Sequence, residues 1–134
     1  MNKQDFIISN LKPYFLDPST CGVGEDCTCM YLTHDGKMCV LGKNLTPEAL
    51  ERFKNSESRA ERLLEINGEE ILKEESRGIL SYDEWEQMQK IHDNISRRGQ
   101  FNYDNTIQCL DRLSSDTCDL TELKDLAKIH FDSK

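Results

Sequence analysis

The chain has 134 residues, a net charge of −8 from 25 Asp/Glu against 17 Lys/Arg, and 37% hydrophobic against 31% charged residues. That length and composition support one hydrophobic core, and the lack of any basic stripe argues against direct binding to DNA, RNA or an anionic membrane. No apolar run approaches the roughly 18 residues of a membrane span, and residues 1–10 lack the basic region and apolar core of a signal peptide. A cytoplasmic address is therefore expected, where the six cysteines stay reduced instead of forming three disulfides.

Phe6, Ile7, Ile8 and Leu11 fall near helical spacing, which predicts a helix over 3–12 that Pro13 stops. Residues 14–20, with Pro18, read as extended or turning and lead into a segment holding Cys21, Cys27, Cys29 and Cys39. Within it the apolar runs 29–33 and 38–41 flank His34-Asp35-Gly36, a pattern that predicts a β-hairpin. A two-residue Asp35-Gly36 loop puts Cys29 and Cys39 on opposite faces. A three-residue loop with Gly36 left-handed pairs Tyr31 with Cys39 and sets Cys29 and Cys39 diagonally on one face.

Helical signals follow. Thr46 reads as an N-cap with Pro47 at the first helical position, and Leu45 can staple against Leu50 in a helix ending near Asn55. Residues 58–66 and the stretch up to Gly78 read as further helical pieces, separated by Asn67-Gly68. Ser81-Tyr-Asp-Glu84 is a capping box, and Trp85, Met88, Ile91, His92 and Ile95 form the stripe of a central helix that Gly99 ends. Two more helices are expected near 106–113 and 120–131, with 101–103 as a loop whose aromatics cover a core edge. The fold class expected is thus α+β: one mainly helical domain over 1–134, with a helix and Cys-rich hairpin in 1–44 and a helical part in 45–134.

The cysteines carry the densest chemistry. Cys21, Cys27, Cys29 and Cys39, with His34 as a fifth candidate, could furnish a tetrahedral zinc site, although no pair has Cys-x-x-Cys spacing; the alternative is quiet packing in a reducing cytosol. A nucleophilic reading pairs Cys39 with His92 and Asp93 or Asp104. Against it stand the strand expected at Cys39, the place of His92 on an apolar stripe, and the lack of a glycine-rich oxyanion loop. Cys109 and Cys118 read as packing residues.

Cys29-Met-Tyr31, Gly36-Lys-Met-Cys39-Val-Leu-Gly42 and the later Met88-Gln-Lys-Ile-His92-Asp93 together resemble a family of small uncharacterised proteins of bacteriophages and their hosts. These share a Cys-x-Tyr, Gly-x-x-Cys-x-x-Gly hairpin and a helix bearing Gln and His-Asp. In that family a Trp usually follows the second motif, whereas here Trp85 precedes it and Phe101 or Tyr103 stands in its place. The resemblance implies a phage-type accessory protein in the host cytoplasm and supplies no reaction.

Charge suggests the mode of action. Residues 45–93 hold 13 Asp/Glu against 7 Lys/Arg, while the flanking parts are nearly balanced. The function expected is a non-enzymatic accessory protein that binds and inhibits a host protein, such as an antiviral defence factor, through an acidic surface marked by Glu61, Glu65, Glu69 and Glu70. Competing readings are a cysteine-dependent hydrolase using Cys39, a zinc-stabilised structural module, and a protein that sequesters a small signalling molecule. The last needs a pocket and basic groups, for which Lys37, Lys43, Arg97 and Arg98 are the local candidates.

Overall fold

The computed structural model describes residues 2–22, 31–33, 36–54, 56, 59–97 and 102–132. In chain order these form α1 (Lys3–Leu16), a 3-10 turn (Pro18–Thr20), α2 (Val40–Asn44), α3 (Pro47–Phe53) and α4 (Ala60–Asn67). Two more 3-10 turns (Glu69–Ile71 and Glu74–Ser76) lead to α5 (Tyr82–Arg97), α6 (Asn102–Leu113) and α7 (Thr121–Asp132).

Helix α5 is the centre, as its sequence stripe predicts. Ser81 Oγ accepts from Glu84 N at 3.1 Å while Glu84 Oε1 accepts from Ser81 N at 2.9 Å, so the capping box satisfies two N–H groups that the helix itself leaves orphaned. Trp85, Met88, Ile91, His92 and Ile95 are all fully buried. The indole Nε1 of Trp85 is the one buried side-chain polar atom among the described residues without a hydrogen-bond partner.

Helices α1, α2, α4 and α6 pack on α5, and α7 packs on α6 and α1. Phe6 of α1 meets Trp85 edge-to-face at 5.6 Å. Thr106 of α6 is fully buried, and its Oγ1 accepts from Asn94 Nδ2 at 3.1 Å. Helix α7 closes on both α6 and α1, with Tyr103 and Phe131 edge-to-face at 6.1 Å and an ion pair of 2.6 Å between Lys12 and Glu122. One continuous cluster of buried apolar residues runs from Phe6 to Phe131.

The α+β expectation is overturned: no strand occurs among the described residues, whose only β features are the isolated bridges Leu45–Leu72 and Ser115–Cys118. Where the hairpin is expected, the described residues show turn bonds and no strand pairing. Thr33 N donates to Lys37 O at 2.8 Å, the bond a three-residue loop requires, and Gly36 has φ 86°. No pairing follows, because Cys39 becomes the N-cap of α2 and residues 40–44 turn helical. A short apolar run such as Met38-Cys-Val-Leu satisfies either period, and tertiary packing decides. Residues 29–30 and 34–35 of the expected hairpin lie outside the described residues.

Pro13 also fails to stop α1, which runs three residues further to Leu16. The lost N–H falls in the last turn, Ser9, whose carbonyl it would have bonded, is exposed, and continuation buries Tyr14 and Phe15. Elsewhere the terminators act as read: Thr46 Oγ1 accepts from Ala49 N at 3.1 Å, and Gly68 ends α4 at φ 76°. No described helix is long and apolar enough to cross a membrane.

Candidate functional site

Gln89, His92 and Asp93 are spaced i, i+3, i+4 on α5 and therefore share a face. That face meets the 17–45 stretch in a junction made of side-chain to main-chain hydrogen bonds. Gln89 Oε1 accepts from Leu41 N at 3.4 Å, and Gln89 Nε2 donates to Asp93 Oδ1 at 3.2 Å. His92 Nε2 lies 2.9 Å from Gly22 N, so it must be the accepting nitrogen. The proton then sits on Nδ1, which reaches Asp93 Oδ1 at 3.0 Å, and the carboxylate holds the ring in that tautomer.

Helix α1 supplies the other wall. Tyr14 packs edge-to-face on His92 at 4.8 Å, and its hydroxyl donates to Met38 O at 2.7 Å. Lys43 Nζ donates to Asn10 O at 2.7 Å and lies 4.4 Å from the centre of the Tyr14 ring. Gly42 is required by contact: a Cβ there would lie 2.1 Å from the carbonyl oxygen of Tyr31. Tyr31, Met38, Leu41 and Gly42 thus converge with Gln89 and His92 on one buried junction.

As chemistry, the junction is closed. Cys39 caps α2 and its sulfur accepts from Gly42 N at 3.3 Å, an arrangement that by itself acidifies a thiol. Burial outweighs it: Cys39 is 1% exposed and its pKa is pushed up to about 12, as burial also does for Cys21. His92 is 0% exposed, and its accepting nitrogen is taken by Gly22 N, so it is not placed to receive a thiol proton. Asp104 lies exposed on α6. Of the proposed zinc ligands, Cys21 and Cys39 are buried free thiols, while Cys27, Cys29 and the fifth candidate His34 lie outside the described residues. Among the described residues no group of three His, Cys, Asp or Glu could hold a metal. Cys109 and Cys118 are buried packing residues.

The acidic residues divide by role. Glu61 is half-buried in the first turn of α4, where its N–H donates to Glu86 Oε1 at 3.0 Å. Glu69 Oε2 accepts from Gly78 N at 3.0 Å and so closes the turn at 69–78. Glu65 and Glu70 are exposed. Glu70 also flanks an open groove of about 260 Å³ floored by Ala49, Phe53 and Ile71 and bordered by Glu48 and Arg52. Glu48, Glu65 and Glu70 form no ion pair among the described residues. Glu48, at the start of the acidic 48–86 stretch, is also the acidic first-turn residue of α3.

Comparison with protein-family models, with curated proteins and with solved structures gives no match.

Proposed function

We propose that the chain is a non-enzymatic, phage-type accessory protein that binds and inhibits a host protein through the acidic face carrying Glu48, Glu65 and Glu70. The observation that carries the reading is the groove between α3 and the turn Glu69–Ile71. It has an apolar floor of Ala49, Phe53 and Ile71 flanked by Glu48 and Glu70, neither of which forms an ion pair among the described residues although Arg52 shares the rim. An apolar centre with a charged rim is the anatomy of a protein interface, and the charge selects a partner segment that combines Lys or Arg with an apolar anchor. Exposed Ile66, next to Glu65, adds apolar surface to the same helix, α4. The burial of Cys39 and the occupied nitrogen of His92 support a non-catalytic reading.

Affinity capture from host cells expressing the chain tests this, run beside the triple variant Glu48→Lys/Glu65→Lys/Glu70→Lys. Glu61 and Glu69 are left alone because their segments hold the fold together. A protein retained by the natural chain, released by salt and lost with the variant supports the reading. A partner held equally by both places the interface elsewhere.

A further inference from the structure

The end of α1, the turn Pro18–Thr20, the loop 36–39 and α2 surround an open cleft of about 530 Å³, large for an inorganic ion and within the range of small-molecule sites. Tyr14 and Met38 give it apolar wall, and Asp17 and Thr20 line the side of the turn. Lys37 and Lys43 approach from the other segments.

Lys43 is the unusual member. It is half-buried, its ammonium is held by the Asn10 carbonyl and the face of Tyr14, and no carboxylate pairs with it among the described residues. A carbonyl and a ring face occupy only part of a three-donor cation, and a partly desolvated charge without a counter-ion favours an incoming anion. Asp17, the one carboxylate on the wall, accepts through Oδ1 from Ser19 N and Ser19 Oγ, which orients it toward its own turn without removing its charge.

We propose that this cleft binds a small organic anion of about nucleoside-monophosphate size, its phosphate or carboxylate taken by Lys43 and its apolar body lying against Met38 and Tyr14. Binding is then linked to the charge on Lys43. Burial lowers the lysine to about 8, and the thiols of Cys39 and Cys21 act in the opposite direction. Those two thiols are themselves pushed to about 12 and Tyr14 is raised further by burial, so none of the three changes charge between pH 7 and 9.5. An anion that prefers protonated Lys43 therefore binds more weakly as pH rises through about 8.

Calorimetric titration of the full chain with adenosine 5′-monophosphate, indole-3-acetate and inorganic phosphate, each at pH 7 and pH 9.5, tests the proposal. The expected result is saturable binding of at least one organic anion, tighter than inorganic phosphate. It should weaken roughly tenfold or more at pH 9.5 and in Lys43→Gln. The nucleotide and the aryl carboxylate distinguish a phosphate from a carboxylate ligand. Met38→Glu adds a like charge to the wall while leaving Lys43 in place, and reads the same loss where Lys43→Gln fails to fold. Absence of saturable binding by both organic anions, or binding unchanged by pH and by the folded variant, overturns the proposal.

Discussion

The helices α5, α6 and α7 and the described residues between 17 and 45 both pack against the same core, but by different means. In the helices, burial follows a period: Trp85, Met88, Ile91 and Ile95 on α5, then Leu110 and Leu113, then Leu123 and Ala127. In 17–45 the described backbone is mostly irregular and is held by single polar side chains of α1 and α5, namely Tyr14 on Met38, Gln89 on Leu41 and His92 on Gly22. A periodic stripe spreads its free energy over many replaceable contacts. A polar pin concentrates it, because removing one partner leaves a buried N–H or carbonyl without water or protein to satisfy it.

Substitutions in the two regions should therefore differ in kind. The largest loss is expected for Gly42→Ala, whose Cβ would lie 2.1 Å from a main-chain oxygen that cannot swing aside. Urea unfolding should show a cost of about 3 kcal/mol or more, or no cooperative fold at all. Leu110→Ala, at a fully buried stripe position, should cost about 3 kcal/mol by the same measurement.

His92→Phe sharpens the contrast, since it keeps the ring volume and removes the acceptor for Gly22 N together with the Nδ1–Asp93 bond. A loss of about 2 kcal/mol is expected, and a change below about 0.5 kcal/mol would mean that the pin is incidental.

Alkali should act on the pinned region first. Cys21 and Cys39 are pushed up to about 12 by burial, so their contribution is complete below the unfolded thiol value of roughly 8.5 and is lost as pH rises from there. Each thiol adds a slope of up to about 1.4 kcal/mol per pH unit. Lys43, lowered to about 8, has the opposite sign up to its unfolded value near roughly 10.4 and offsets part of this. Cys39→Ala should flatten the decline in a pH series of thermal melts. The smallest effect is expected at Ser81→Ala, where loss of the capping hydroxyl of α5 should cost about 1 kcal/mol.

This contrast also explains what could be read from the sequence. The capping box at Ser81, the Thr46-Pro47 start and the stripe on α5 are local signals, satisfied by residues within a turn or two, and each appears in the structure where its spacing puts it. The 17–45 stretch was misread because its determinants are distant. Cys39 is an uncommon N-cap residue, and nothing in residues 36–44 reveals that Gly42 is pressed against Tyr31. His92 reads as a core histidine from its stripe, yet its partner Gly22 is 70 residues away. The acidic surface was visible as composition, but its division into a structural carboxylate (Glu69) and ones without an ion pair among the described residues (Glu48, Glu65, Glu70) depends on which groups lie opposite.

The pairing of α1 with α7 bears on how the chain folds during synthesis. Helix α1 is synthesised before α7, yet part of the surface that covers it is made later: Asp119 N donates to Gln4 Oε1 at 2.9 Å, and Lys12 pairs with Glu122. Phe6 of α1 packs on Trp85 of α5, but the α7-facing side of α1 waits for residues near 120–132. A nascent chain halted near residue 97 would present that side together with the α6-facing side of α5. Such an intermediate should be the state most prone to aggregation and chaperone capture.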